Sequence, residues 1–158
     1  MKSTTETPVK VILADDDVED QEIFEDVVKK TGTETELTIV DNGQELVDKL
    51  KESEEKPDLV FVDINMPIKN GKQALHEIKK DEDLQDIPVI MLSTSDNHKD
   101  VQESFNAGAQ AYIKKPSDYS SFIVILKRIF SFHYAAKFFG TVWKRLFITE
   151  KDPNGKEM

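Results

Sequence analysis

Two apolar segments of this chain each stop at carboxylate side chains. Segment 9–14 is followed by three aspartates at 15–17, and segment 59–62 is followed by Asp63. Carboxylates that meet in one place bind hard cations such as Mg²⁺, and an aspartate can act as a nucleophile that forms an aspartyl phosphate. The pattern therefore predicts an acidic site for a divalent cation, with Asp63 as the candidate phosphate acceptor.

Two further apolar segments end at side chains that suit the same chemistry. Residues 88–92 lead to Ser93, and residues 111–113 lead to Lys115. Phosphoryl transfer asks a protein mainly for positioning and for neutralisation of charge. The ammonium group of Lys115 would neutralise phosphoryl charge and the hydroxyl of Ser93 would hydrogen-bond a phosphoryl oxygen, while the backbone carbonyl of Asn65 offers the cation another oxygen.

These side chains need a scaffold that brings strand ends together. Five apolar stretches of strand length alternate with five helical patterns; the stretches are 9–14, 37–40, 59–62, 88–92 and 111–113. Alternation of this kind predicts βαβ units and a parallel sheet. Because ligands of open α/β sheets lie outside the carboxyl ends of the strands, the candidate residues are expected at one edge of the sheet.

Length and composition limit the classes of protein to which this chain can belong. A length of 158 residues predicts one domain, and the net charge of −10 argues against nucleic-acid binding. The chain has no cysteine, which excludes a disulfide scaffold and a thiolate metal site. Neither a signal peptide nor an apolar stretch long enough for an integral membrane segment is visible, so we expect a cytoplasmic protein.

The candidate residues lie in segments that resemble the receiver domain of two-component response regulators. The resemblance covers roughly residues 9–130 and is carried by four segments in order, Val11–Asp16, Asp63–Pro67 with Gly71, Pro88–Ser93 and Tyr112–Pro116. Any one segment is a weak signal, but four in this order are specific. The resemblance implies a flavodoxin-like (βα)5 fold, a doubly wound parallel sheet with strand order 2-1-3-4-5, here with an extended C-terminal helix.

The resemblance also assigns the acidic residues. Asp63 would be the phosphoacceptor, and the metal would be Mg²⁺. Asp16 would bind Mg²⁺ directly and Asp15 largely through water, while Asp63 and the carbonyl of Asn65 would complete the protein ligands.

It assigns the remaining residues of the site as well. Ser93 would be the hydroxyl that moves toward the phosphoryl group, and Tyr112 the aromatic side chain that changes rotamer with it. Lys115 would be the family's lysine, joined to Pro116 by a cis bond. Ser93 stands where threonine is common, which leaves its χ1 angle less restricted.

The implied function is that of a signalling protein that catalyses only its own phosphorylation and dephosphorylation. A histidine kinase or a histidine phosphotransfer protein would phosphorylate Asp63, and the signal would leave by protein contact. One alternative is a pseudo-receiver that binds partners without turning over phosphate. Another is an Mg²⁺-dependent aspartyl phosphatase, which would normally have a second acid at the position of Asn65.

The predicted domain layout is a tail at 1–8, a receiver at 9–130 and an extension at 131–158.

The C-terminal segment departs from an ordinary receiver. Residues 119–147 hold nine of the thirteen aromatic side chains, and residues 119–149 contain no Asp or Glu. Exposed apolar surface of this size marks a partner site. We favour homodimerisation through an extended fifth helix, with Trp143 at the interface; docking of a kinase or downstream partner, association with a membrane surface and folding back onto the domain stay open. The tail loosely resembles that of single-domain regulators that partner bacterial phytochromes.

Overall fold

The computed structural model describes residues 7–158, so most of the predicted N-terminal tail lies outside the described residues. Across the described residues there are seven strands and five helices. The strands are β1 (Val9–Ala14), β2 (Thr35–Val40), β3 (Leu59–Asp63), β4 (Val89–Ser93), β5 (Ala111–Lys114), β6 (Leu146–Thr149) and β7 (Asp152–Glu157). The helices are α1 (Val18–Lys30), α2 (Gly43–Glu52), α3 (Gly71–Lys80), α4 (His98–Asn106) and α5 (Tyr119–Phe139).

All seven strands form one sheet in the order β2-β1-β3-β4-β5-β6-β7. The first five are parallel, which confirms the implied flavodoxin-like order 2-1-3-4-5. The register places Asp63 beside Leu92, and Ser93 beside Lys114. The carboxyl ends of these central strands therefore meet at one edge, where the sequence predicted the site.

The sheet separates two hydrophobic cores. Ile12 and Ala14 of β1 point into the core beneath α2, α3 and α4, while Val11 and Leu13 point into the core beneath α1 and α5. All four of these side chains are buried, as the side chains of a central strand covered on both faces should be. This double burial explains why the central strands β1, β3 and β4 are nearly continuous apolar runs that stop where the polar site begins.

Each helix begins at a residue whose side chain accepts a hydrogen bond from a backbone N–H of the first turn. These capping residues are Asp17, Asn42, Asn70, Asn97 and Asp118. A short polar side chain in this position satisfies one of the unpaired N–H groups at a helix start. Asp17, the third acid of the first run, therefore belongs to the start of α1.

The C-terminal segment forms a long helix and then an extension of the sheet. Helix α5 ends at Gly140, which adopts the left-handed conformation that glycine tolerates best (φ 65°). Strand β6 then pairs in parallel with β5, and β7 pairs antiparallel with β6. These two strands were not predicted from the sequence. Within residues 7–158, no helix combines the length and the apolar character needed to cross a membrane.

Candidate functional site

Lys115 lies at the centre of the acidic site. Its ammonium nitrogen donates hydrogen bonds to Asp15 Oδ2 at 3.1 Å, to Asp20 Oδ2 at 2.8 Å and to Asp63 Oδ2 at 3.1 Å. The side chain is only 12 % exposed. Burial alone would lower the pKa of Lys115, but the hydrogen bond that it donates to Asp20 and the charges of Asp63 and Asp15 raise it above its ordinary value. Lys115 thus stays charged and joins β1, α1 and β3.

The carboxylates around this lysine form a compact group of oxygen donors. Asp15 and Asp63 are buried, with 1 % and 8 % exposure, and Asp20 is partly exposed. One oxygen from each of the three lies within 4.8 Å of the others. Burial raises the pKa of Asp15, opposed by the backbone N–H of Asp17 and by Lys115. Carboxylate oxygens this close together are the kind of donor set that a hard divalent cation takes.

The structure brings together some of the predicted residues and adds one. Asp15, Asp63 and Lys115 are in contact, as the sequence predicted. Asp16, the predicted direct ligand, is exposed and lies outside the group of three. Asp20, in the first turn of α1, stands in that group instead and was missed. Its signal in the sequence was only an acid four residues after Asp16, which is also common in an ordinary helix start.

The loop after Asp63 is shaped by close backbone contacts. The backbone N–H of Asn65 donates to Asp63 Oδ1 at 3.3 Å, and the side chain of Asn65 is exposed. The N–H of Gly71 donates to the carbonyl of Ile64 at 2.8 Å. A Cβ atom at Gly71 would lie 2.2 Å from the carbonyl oxygen of Asp63, which is far inside van der Waals contact. Glycine is therefore required where α3 begins beneath the loop that follows Asp63.

Ser93 and Tyr112 lie next to each other in the sheet interior. Both are fully buried. The Ser93 hydroxyl oxygen accepts a hydrogen bond from the backbone N–H of Ser95 at 3.1 Å, and the Tyr112 hydroxyl donates to the carbonyl of Ser95 at 2.7 Å. The Tyr112 ring packs against Phe147 of β6, with 5.7 Å between ring centroids. Burial raises the pKa of Tyr112, so its hydroxyl stays a neutral donor.

The turn at Lys115 differs from the one that the resemblance implies in the geometry of the Lys115–Pro116 peptide bond. None of the peptide bonds between described residues is cis, so Lys115 and Pro116 are joined by a trans bond. The implied cis bond is therefore wrong for this structure, in keeping with the usual preference of X–Pro bonds for trans. The backbone N–H of Lys115 donates to the carbonyl of Ser93 at 2.7 Å, which holds the turn beside β4.

Trp143 lies away from the acidic site. It lines a surface pocket with the residues that precede β3 and β4, at the amino edge of the sheet. Its ring packs against Phe132 of α5, with centroids 5.8 Å apart. The nearly buried His133 lines the same pocket, and burial lowers the pKa of His133.

Comparison with known proteins gives the family. The model of the response regulator receiver domain matches residues 11–127. Response regulator Rcp1 of Synechocystis sp. is 30% identical over 137 residues, which cover 84% of this chain and 93% of Rcp1. The polar-differentiation response regulator DivK of Brucella anthropi is 32% identical over 120 residues, covering 76% of this chain and 94% of DivK.

Solved structures agree with the sequence relatives. The phosphorylated cyanobacterial phytochrome response regulator RcpA superposes with a TM-score of 0.75 at 30% identity, covering 82% of this chain and 96% of RcpA. The Mn²⁺-bound form of Rcp1 superposes with a TM-score of 0.69 at 27% identity, covering 85% of this chain and 97% of Rcp1. The protein belongs to the response regulator receiver family, and its relatives include the single-domain regulators Rcp1 and RcpA.

Proposed function

We propose that this protein is a phosphorylation-activated response regulator that accepts a phosphoryl group on Asp63 from a histidine kinase or a histidine phosphotransfer protein. One observation carries the proposal. The carboxylate of Asp63 lies 3.1 Å from the ammonium nitrogen of Lys115, which also binds the buried Asp15 at the carboxyl edge of the sheet. A buried carboxylate beside a fixed cation is suited to attack phosphorus and to hold the charged product.

The proposed transfer conserves atoms and charge. A carboxylate oxygen of Asp63 forms a bond to phosphorus while the bond from phosphorus to the donor imidazole nitrogen breaks. The donor ring is protonated on its other nitrogen, so it leaves as neutral imidazole. Lys115 donates its hydrogen bonds at the place where phosphoryl oxygens arrive. Such preorganised charge is the main contribution that a protein makes to phosphoryl transfer.

The same residues fit a divalent cation, which we propose to be Mg²⁺. The donor set consists of the Asp15 and Asp63 carboxylates, with Asp16 and the carbonyl of Asn65 as the further ligands that the resemblance implies. Asp20 adds a third carboxylate within 4.8 Å of the first two. Rcp1 has been crystallised in an Mn²⁺-bound form, which supports a divalent site in this family. When bound, Mg²⁺ would neutralise charge on the phosphoryl oxygens.

The switch would consist of Ser93 and Tyr112. The Ser93 hydroxyl accepts one hydrogen bond from Ser95 and keeps its own hydrogen, which it can donate to a phosphoryl oxygen on Asp63. The Tyr112 ring contacts Phe147, so a change at Tyr112 reaches β6 directly. We propose this contact as the route by which phosphorylation alters the surface.

The test is the intact mass of the protein after incubation with acetyl phosphate and Mg²⁺. We expect the wild type to gain one phosphoryl group, and the gain to disappear with EDTA and in Asp63→Asn. If the aspartyl phosphate hydrolyses too quickly for its mass to be detected, binding of beryllofluoride, monitored by ¹⁹F NMR, tests the same site. A wild type that neither gains mass nor binds beryllofluoride would refute the proposal in favour of a pseudo-receiver.

We also propose that two copies associate through α5 and the segment that follows it. Exposed apolar side chains run along this region: Val124 is 50% exposed, Phe138 61%, and Phe139 and Val142 each 84%. Ser131 and Ala135 stand one turn apart in a groove on the outer face of α5, where small side chains allow close helix approach. Trp143 packs against α5 and would support this face.

Sedimentation analysis tests the association. Val124→Asp and Phe139→Asp should shift the wild-type dimer to a monomer, because each places a charge on the apolar surface that the association would bury. Ile23→Asp, at an exposed apolar residue of α1, is the matched control and should leave the mass unchanged. A monomeric wild type, with or without phosphorylation, would contradict the proposal.

A further inference from the structure

Ser95 connects the residues of the proposed switch. Its backbone N–H donates to Ser93 Oγ at 3.1 Å, and its carbonyl accepts from the Tyr112 hydroxyl at 2.7 Å. Its own hydroxyl donates to Asp100 Oδ2 at 2.7 Å. One residue of the β4–α4 loop thus contacts both switch side chains and the first turn of α4.

Asp100 is in turn held by α3. Its second carboxylate oxygen accepts a hydrogen bond from the ammonium group of Lys72. Lys72 directly follows Gly71, whose N–H is bonded to the carbonyl of Ile64 in the acceptor loop. Both side chains of the ion pair are partly exposed, Lys72 at 27% and Asp100 at 23%. The contacts therefore run from the loop beside Asp63, through α3 and α4, back to Ser93.

We infer that Asp100 is a positioning residue for phosphorylation: anchored by Lys72, it fixes Ser95 and thereby places the Ser93 hydroxyl for the phosphoryl group. The inference rests on the proposed function. The Ser95 N–H occupies one lone pair of Ser93 Oγ, which orients the oxygen while leaving its hydrogen free to donate. Hydrogen bonds from Lys72 and Ser95 lower the pKa of Asp100, so the anchor is ionised at neutral pH.

Without the Asp100 carboxylate, the β4–α4 loop is no longer held in place before phosphorylation and must become ordered as the reaction occurs. A loop side chain that is fixed in the wild type must then become ordered during the reaction of the variant. This ordering should slow phosphorylation by about three- to ten-fold. Because Ser95 and Asp100 act through one hydrogen bond, their effects should not add.

The experiment compares phosphorylation rates with acetyl phosphate and Mg²⁺, measured by intact mass, in Ser95→Ala, Asp100→Ala and the double variant. We expect each single variant to be slower by about three- to ten-fold, and the double variant to be no slower than the slower single one. Asp96→Ala is the matched control in the same loop, since the exposed side chain of Asp96 pairs with Lys114 and contacts neither Ser93 nor Tyr112 among the described residues. It should keep the wild-type rate.

Three results would overturn the inference. The first is a wild-type rate in Asp100→Ala, and the second is fully additive effects of the two substitutions. The third is unchanged hydrogen exchange of the amides at 94–97 in Asp100→Ala relative to Asp96→Ala. This third arm needs no phosphate, so it decides the positioning role even if the wild type takes no phosphoryl group and the proposed function fails. Thermal unfolding of every variant separates a loss of folding from a loss of rate.

Discussion

Replacement of Lys115 by methionine tests the electrostatics of the site without changing any of its carboxylates. The substitution keeps an unbranched side chain of similar bulk and removes only the ammonium group. In the wild type that group donates to Asp15, Asp20 and Asp63. In Lys115→Met the three carboxylates face each other without a compensating charge.

The size of the effect follows from the distances. One oxygen of Asp15 and one of Asp63 lie within 4.8 Å of each other. At an effective dielectric constant of about 20, two unit charges at this distance repel by roughly 3 kcal/mol. Loss of one partner of a buried ion pair costs a comparable amount, about 3–5 kcal/mol. We therefore expect the free energy of unfolding at pH 7 to fall by about 3 kcal/mol, which lowers Tm by roughly 6–12 °C in a chain of this size.

The assay is urea unfolding of Lys115→Met at pH 7 in EDTA, with Lys114→Met as the matched control. Lys114 is the neighbouring lysine, but it is more exposed and pairs with the exposed Asp96. Burial already raises the pKa of Asp15, and loss of Lys115 raises it further. The folded variant therefore binds a proton more tightly than the unfolded chain, so its stability should rise as the pH falls from 7 toward 5. Added Mg²⁺ should also recover stability at pH 7, because it binds the folded state.

The reasoning is refuted if Lys115→Met is as stable as Lys114→Met in EDTA at pH 7. It is also refuted if the stability of Lys115→Met falls on acidification to pH 5 more steeply than that of the wild type. Either result would mean that the carboxylates do not repel one another as their spacing requires.

Three further predictions concern the surroundings of the site. Gly71→Ala should destabilise the fold and slow phosphorylation, because the new Cβ would lie 2.2 Å from the carbonyl of Asp63; urea unfolding and intact mass measure both effects. Phe147→Ala should cost roughly 2 kcal/mol in urea unfolding, since the ring is partly buried against Tyr112. Burial lowers the pKa of His133 below its ordinary value of about 6.5, so the unfolded chain takes up the proton first and stability should fall between pH 7 and pH 5. His133→Phe should abolish that part of the pH dependence.

Exposed counterparts provide the controls for two of these predictions. Val18→Ala, at a side chain of α1 that is 64% exposed, should leave the stability unchanged. His98→Phe, at an exposed histidine of α4, is the matched control for the substitution itself. A Phe147→Ala protein with wild-type stability would contradict the packing of β6 on Tyr112, and a His133→Phe protein with unchanged pH dependence would contradict the burial of His133. A fully active and stable Gly71→Ala protein would contradict the close approach beneath Asp63.

Much of the fold was predictable because the strands carry a strong local signal. Strands such as β1 and β3 are buried on both faces and end sharply at acids, so their limits follow from hydrophobicity alone. The meeting of Asp15, Asp63 and Lys115 then follows from a parallel sheet. The order of the strands came from the resemblance to receivers, since alternation alone does not give an order.

Other features depend on tertiary contacts that no local pattern encodes. The place of Asp20 in the site depends on where the long side chain of Lys115 reaches. Strand β7 contains Pro153 and Gly155 and is mostly exposed, so its pairing with β6 contradicts local propensity. Several aromatic residues that suggested an exposed patch, Phe122 and Phe130 among them, point from α5 into the core.

The most direct test of the central claim is to locate the phosphoryl group. The protein is phosphorylated with acetyl phosphate and Mg²⁺, reduced with borohydride to convert an acyl phosphate into homoserine, and mapped by peptide mass spectrometry. We expect homoserine at position 63 and at no other aspartate, with none formed when EDTA is present. Homoserine at Asp15, Asp16 or Asp20 in a protein that leaves Asp63 unmodified would contradict it.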